Sequence, residues 1–305
     1  MLEAVRGVLT GVIFGFVTAV TLGINRLLTA VVARRFGVVR SAAVTLTFAL
    51  LVMVVWAILI DVPIEMTTDH LILLTFLGTC VGASFLGSYM ALRLGPISVV
   101  TPIGSLGTAM TVVYSFWLLG ERPGAVQWAG IPIAVLGAVL VSLVIERGVK
   151  VRLVTWGPVF ALIGVFVGSL SNAGLKIPIR DGVDSSLTVI TQRVFTVAFV
   201  LLVLMVFSRL GLRRRRGGDD PQPPVRITWR TGWLLGLVGL IDGVSFISFG
   251  YGLAYAPAWL IAIISQSGKV LSVIGGVIFF KERLHRLQWT GVGLILVGVM
   301  MSLLG

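Results

Sequence analysis

The 305-residue sequence has little of what soluble proteins and metalloenzymes depend on. Only 12% of its residues are charged, roughly half the share found in an ordinary soluble domain. It has a single cysteine, Cys80, so no disulfide bond can form within the chain. With only two histidines and no cysteine cluster, a zinc site is not expected. These shortages argue against a soluble fold and against zinc chemistry.

The chain consists mainly of apolar residues, with 57% hydrophobic residues and a mean hydropathy of +1.06. Its apolar runs are about 20 residues long, enough for a helix to cross a hydrocarbon core of about 30 Å. Ten such runs predict an all-α integral membrane protein, so the net charge of +12 bears on topology rather than on nucleic acid. The predicted spans are 5–24, 41–60, 71–92, 97–119, 124–145, 155–175, 186–208, 232–252, 257–279 and 286–304.

One stretch of the sequence occurs twice. Residues 95–143 align with residues 256–304 without a gap at a shift of 161 positions. The pairs include Pro96 with Pro257, Gly107 with Gly268, Glu121 with Glu282, and Trp128 with Trp289. Because a repeat fixes the architecture, we predict two units of five spans each, residues 1–150 and 151–305. An odd number of spans inverts the second unit relative to the first, as in many transporters.

Basic residues are distributed unevenly between the two sides of the membrane. Of the 24 lysines and arginines, 18 fall in the loops after odd-numbered spans and four on the opposite side. Because basic loops stay in the cytoplasm, this bias places both termini outside, in a multi-pass plasma-membrane protein. The 18 include Arg26, after the first span, and the run Arg213–Arg216, interpreted as an anchor at lipid phosphates.

The repeated stretch also carries a family resemblance. The first half reads LGPISVVTPI and then LLGERPGAVQWAGIPIAVLGAVL, and the second half repeats the Glu-Arg turn, the Gln-Trp pair and the glycine-rich span. Over most of its length the chain thus resembles the EamA family of the drug/metabolite transporter superfamily. The resemblance implies cytoplasmic termini, against the charge bias, which we follow here. The resemblance also implies a proline in the middle of the fourth and ninth spans, where Thr108 and Lys269, or residues next to them, stand instead.

Three ionisable residues, Arg193, Asp242 and Lys269, fall inside predicted spans. Each charge would cost about 2.5–3.5 kcal/mol at the bilayer centre, so none is expected to face lipid. We interpret Lys269 as the binder of an anionic group and Asp242 as the group that couples transport to protons. Two alternatives stay open. The first is that Asp242 and Lys269 form a closed structural pair, and the second is that Arg193 extends to the outer interface.

Polar residues follow one face of the ninth span and the matching face of the fourth. Ser265, Gln266 and Lys269 recur at helical spacing. The shift of 161 takes Gln266 to Ser105 and Lys269 to Thr108, so two related polar stripes would face a central cavity. The alternative for the hydroxyls is a bond to their own helix backbone. The predicted binding or coupling residues are Lys269, Asp242, Gln266, Arg193, Ser245, Ser105 and Thr108.

These features predict a secondary transporter that moves a small polar metabolite, anionic or zwitterionic, by alternating access. One alternative is a flippase whose Arg213–Arg216 run holds an anionic headgroup. Another is a non-transport membrane partner, which requires no cavity and a closed Asp242–Lys269 pair. An enzyme is not expected, although Lys269 near Ser265 or Ser272 leaves a protease dyad open.

The expected partners are a small-molecule substrate and membrane lipids, with no nucleic acid and no cofactor, and a homodimer is left open. Glu121 and Glu282 lie in tight turns, each followed by an arginine. We interpret both as turn caps that contact lipid headgroups rather than as substrate ligands.

Overall fold

Helices make up the described part of the chain. The computed structural model describes residues 2–36, 38–94, 103–142, 156–209, 229–280 and 286–304. No strand occurs within these ranges, which confirms the all-α class. Arg213–Arg216 and Glu282 lie outside the described residues. In chain order the helices are α1 (Leu2–Phe36), α2 (Val38–Leu59), α3 (Thr68–Leu94), α4 (Gly107–Leu119), α5 (Ala125–Ser142), α6 (Trp156–Gly174), α7 (Lys176–Arg180), α8 (Ser185–Arg209), α9 (Trp229–Tyr255), α10 (Ala258–Gln266), α11 (Gly268–Phe280) and α12 (Arg286–Leu304).

Length and composition mark these helices as membrane spans. Seven helical segments of the described chain are long and apolar enough to cross a membrane. Three shorter apolar helices, Ala43–Leu59, Ile103–Leu119 and Ala125–Val141, lie where the second, fourth and fifth spans are predicted. The outer surface is apolar, as at Leu59 (75% exposed) and Trp117 (80% exposed). Lipid can solvate such a surface, and helices satisfy their own backbone groups there. The chain is therefore a multi-pass helical membrane protein.

The first helix is longer than the sequence pattern predicts. α1 continues past residue 24 to Phe36, and no glycine or proline interrupts the stretch between them. Asn25 and Arg26 therefore lie within the helix. The prediction that Arg26 belongs to a cytoplasmic loop is wrong, because an apolar run marks where lipid contact ends rather than where a helix ends.

The fourth and ninth spans are interrupted at equivalent positions. α10 and α11 are separated by Ser267, whose N–H donates to the carbonyl of Ile264 at 2.9 Å. Before α4 begins, the N–H of Leu106 donates to the carbonyl of Ile103 at 3.0 Å. Such i to i+3 bonds tighten a helix locally. Since the shift of 161 takes Leu106 to Ser267, both spans change pitch at the same point of the repeat.

The apolar core is concentrated around α10. Trp259, Ile261 and Ile264 are nearly inaccessible, and they belong to one cluster with residues of α3, α5, α8, α9 and α12. α1 packs against α9, α10 and α11, whereas α3 packs against α6 and α8. This packing fills the interior around the start of α10. Further along the ninth span, polar residues line the interior instead.

Candidate functional site

A polar cavity lies between α1, α3, α4, α6, α9 and α10. Its volume is about 300 Å³, at the small end of the range for ligand pockets. Arg26, Asn172 and Gln266 line it together with eight hydroxyl-bearing residues, and the described part of its wall has no aspartate or glutamate. Phe246 and Phe249 supply an apolar wall. The eight hydroxyl-bearing residues are Thr18, Ser84, Ser88, Thr108, Thr111, Ser169, Ser245 and Ser265.

A second cavity, of about 340 Å³, adjoins the first. Arg26, Gly104 and Gln266 line both, so they stand at the boundary between the two. The second cavity is also lined by Ser105, Val141, Lys269, Ser272 and Val273. Lys269, Ser272 and Val273 belong to α11 and follow Gln266 along the ninth span. The second cavity therefore lies further from the start of α10 than the first cavity does. Its wall, as far as the described residues form it, also has no carboxylate.

Lys269 and Ser105 come together across the two interrupted spans. The Lys269 ammonium donates to the Ser105 hydroxyl at 2.7 Å, and both residues line the second cavity. These two residues belong to the polar stripes of the fourth and ninth spans that the sequence predicts around a central cavity. Of the described residues that line this cavity, none is a carboxylate that could neutralise Lys269.

Asp242 and Arg193 form an ion pair behind the first cavity. Nη2 of Arg193 lies 3.1 Å from Oδ2 of Asp242, and Oδ1 of Asp242 accepts a hydrogen bond from Asn25 at 2.9 Å. The guanidinium of Arg193 also stacks on the Phe246 ring, 3.7 Å from its centroid. Neither Asp242 nor Arg193 lines the cavities. The predicted alternatives of an Asp242–Lys269 pair and of an interfacial Arg193 are both wrong, because Asp242 bonds two other residues and Arg193 is 3% exposed.

The other predicted residues differ in what their polar atoms bond. Oγ of Ser245 donates to the carbonyl of Ile241 at 2.7 Å, so the backbone-bonding alternative holds for that residue. Thr108 Oγ1, Ser265 Oγ and Gln266 Oε1 are buried in the wall of the first cavity and have no hydrogen-bond partner within the described residues. Backbone bonding therefore does not explain Thr108 or Ser265.

Sequence reasoning did not assign Asn25, Arg26 or Asn172 to this site. Arg26 and Asn172 line the first cavity, and Asn25 holds Asp242. A signal for Arg26 was available. With Thr18 and Leu22 it follows the four-residue spacing of one helix face, which shows only if the first helix is extended beyond its apolar run.

Glu121 joins three segments at the end of the molecule where α10 begins. Its Oε1 pairs with Nζ of Lys176 at 2.8 Å, and its Oε2 accepts from the N–H of Ala258 at 2.8 Å and from the Ser115 hydroxyl. Lys176 also donates to the carbonyl of Ala256 at 2.6 Å. A carboxylate at a helix start is stabilised by the helix dipole. The interpretation of Glu121 as a lipid-facing turn cap is wrong, because it ties α4 to α7 and α10.

Comparisons with known proteins agree with this architecture. The model of the EamA-like transporter family matches residues 9–143 and 155–304. A protein of Sinorhizobium sp. described as "Uncharacterized transporter in cobO 3'region" is 30% identical over 81 residues. That match takes in 27% of this chain and spans 57% of the relative's length. A solved structure described only as "Crystal structure of protein" has a TM-score of 0.74 at 18% identity, over 98% of this chain and 96% of that one.

The solved structure supports the fold alone, since its sequence identity is low. The family matches carry more, because they occur once in each half and leave few residues unmatched. An all-helical membrane fold with a polar cavity between its spans agrees with them. The resemblance seen in the repeated stretch is thereby confirmed, and this chain belongs to the EamA-like transporter family.

Proposed function

We propose that this protein is a secondary transporter, not an enzyme, that moves a small anionic or zwitterionic metabolite across the plasma membrane by alternating access. The observation that carries the proposal is the charge of the two cavities. Among the described residues that line them are Arg26 and Lys269 but no aspartate or glutamate. In a membrane interior, uncompensated cations mark a pathway for a ligand of opposite charge.

The arrangement of the helices supports two inverted repeats of five spans. The repeat relates α1 to α6, α2 to α8, α3 to α9 and α5 to α12. α1 and α2 both pack on α9, and their counterparts α6 and α8 both pack on α3, the counterpart of α9. α5 packs on α12, its own counterpart. Gly78 of α3 lies against Phe195 of α8, and its repeat partner Gly239 of α9 lies against Phe48 of α2. Such exchange of contacts is what a division at residues 1–150 and 151–305 requires, and it supports alternating access about a central site.

The direction of opening follows from the two ends of the molecule. The Glu121 cluster and the apolar core close the end where α10 begins, and the cavities continue towards the other end. The charge bias of the loops puts that other end in the cytoplasm and both termini outside. In the proposed orientation this conformation therefore faces inward.

Asp242 is the proposed coupling group. It is the carboxylate found in the interior of the described spans, away from their ends. Its partners Arg193 and Asn25 sit on two other helices, α8 and α1. A proton on Asp242 would weaken both contacts, so protonation would loosen α9 from its neighbours and couple to the conformational change.

The structure bears on one of the two alternative functions, the non-transport partner, and not on the other, the flippase. The non-transport partner required no cavity and a closed Asp242–Lys269 pair, and the structure contradicts both requirements. The flippase depended on Arg213–Arg216, which lie outside the described residues. A homodimer stays a prediction.

The test is a thermal-shift screen of the purified protein against amino acids, organic acids and nucleotide precursors, followed by flux measurements in liposomes with any stabilising compound. Lys269→Met should weaken binding roughly 10- to 150-fold, because a hydrogen bond to a charged group contributes about 1.5–3 kcal/mol. Lys269→Arg, which keeps the charge, is the matched control. Wild-type affinity and flux in Lys269→Met would remove Lys269 from the mechanism.

A further inference from the structure

Four buried polar atoms converge on the first cavity without a hydrogen-bond partner among the described residues. They are Nη1 of Arg26, Oγ1 of Thr108, Oγ of Ser265 and Oε1 of Gln266. Buried polar atoms in folded proteins are nearly always paired, and an unpaired one destabilises the fold. The four atoms come from the first, fourth and ninth spans. The way one helix packs therefore does not explain why all four lack a partner. A set of this kind indicates a site whose hydrogen-bond partners are supplied by a ligand.

Arg26 differs from the two basic residues that the sequence pattern singled out. The charge of Arg193 is balanced by Asp242 at 3.1 Å, and Lys269 already donates to Ser105 at 2.7 Å. Arg26 stands at the boundary between the two cavities, and no carboxylate is found among the described residues of either wall. A guanidinium presents several N–H donors in a planar fork that matches a carboxylate or a phosphate.

We propose that Arg26 binds the acidic group of the transported molecule, with the hydroxyls of Thr108 and Ser265 as further donors. The Oε1 of Gln266 can only accept, so the same molecule must also carry an O–H or N–H donor. The ligand class is a small carboxylate or phosphate with such a donor. This assignment rests on the proposed transport function and deepens it, because it moves the main anion contact from Lys269 to Arg26.

The charge of the cavity can be measured without knowing the substrate. Ser265→Cys in a Cys80→Ala background places one thiol in the wall of the first cavity. The full-length protein in phosphatidylcholine nanodiscs is treated with an anionic thiosulfonate, which carries a sulfonate, or with a cationic one, which carries a trimethylammonium group. A cavity lined by positive charge concentrates anions. When each rate is divided by the rate of the same reagent with a small free thiol, the anionic reagent should therefore react faster than the cationic one.

Substitutions of two arginines on the same helix identify the source of this preference. Arg26→Gln should lower the ratio of anionic to cationic rates by about tenfold, whereas Arg26→Lys should retain most of it. Arg6→Gln is the matched control, since it removes the same charge from an exposed position of α1 and should leave the ratio unchanged. An unchanged ratio in Arg26→Gln, or no reaction of Ser265→Cys with either reagent, would overturn the assignment.

Two further arms test the ligand class. Inorganic phosphate keeps a P–OH donor at neutral pH and sulfate does not, so phosphate should slow the modification of Ser265→Cys more than sulfate does. Equal slowing by both anions, or by neither, would refute the role given to Gln266.

Adding phosphatidylglycerol to the nanodiscs should leave the rates unchanged. If it slows the anionic reagent instead, the site holds a lipid headgroup, which overturns the soluble ligand. No arm measures flux, so a negative result here is separable from failure of the transport proposal.

Discussion

At the scale of single residues, Asp242 and Arg193 neutralise each other in the wall behind the first cavity. Their side chains are 14% and 4% exposed, and the charged atoms are 3.1 Å apart. A buried ion pair adds little net stability, because desolvation offsets the attraction, but removal of one partner leaves an uncompensated charge. The pair also positions the cavity wall, since Arg193 stacks on Phe246.

Asp242→Asn should therefore destabilise the protein by about 3–5 kcal/mol, because it leaves the Arg193 charge unpaired. The second substitution Arg193→Met should restore most of that loss. Thermal unfolding of the purified single and double variants measures both effects. If Asp242 couples transport to protons, the double variant should fold and still exchange substrate but should no longer respond to a pH gradient. Gradient-driven uptake by the double variant would show that the coupling group lies elsewhere.

At the scale of helices, α5 and α12 pack closely enough that their glycines cannot be enlarged. A Cβ on Gly298 would collide with the backbone of Ala134, and Gly291 faces Gly137 in the same contact. Close approach through small residues is the usual means of holding membrane helices together. Since this glycine-rich face is used inside the chain, a homodimer would have to use another surface.

Gly298→Ala should accordingly destabilise the protein by about 1–3 kcal/mol, the usual cost of overpacking a filled contact. Gly293 on the same helix is the matched control, because a Cβ there would meet nothing within 4 Å. Gly293→Ala should be neutral or slightly stabilising, as alanine favours a helix over glycine. Thermal unfolding of the two variants checks the difference, and equal stability of both would contradict the packing described for α5 and α12.

The same scale shows how far the sequence could predict the structure. Apolar runs predicted where helices cross lipid, and helical spacing with the repeat predicted polar stripes on the fourth and ninth spans, because both patterns can be read directly from the sequence. The repeat paired Lys269 with Thr108, whereas the structure brings Lys269 to Ser105. The partner of Asp242 could not be predicted, since Lys269 and Arg193 are both plausible and only packing selects one. Arg26 was missed for a different reason: the apolar run ends before Arg26, although α1 continues to Phe36.

At the scale of the whole molecule, the two ends differ in what closes them. At the end where α10 begins, Glu121 pairs with Lys176 and receives the N–H of Ala258, so one carboxylate holds both halves of the chain together. At the other end the second cavity continues beyond Lys269. Alternating access would require the Glu121 cluster to separate when the cavities open to the outside.

Glu121→Gln should favour that outward opening, because it removes the ion pair with Lys176 and keeps the size of the side chain. The loss of about 1.5–3 kcal/mol would raise the outward-open population about tenfold or more. In cells that express the protein, a membrane-impermeant thiol reagent should then modify Ser265→Cys faster in Glu121→Gln than in the parent.

Glu65→Cys, in the exposed loop at the same end, should react in every background and so report the orientation. An unreactive Glu65→Cys would contradict external termini. A reactive Glu65→Cys with no gain in Glu121→Gln would show that the Glu121 cluster does not control access from that side.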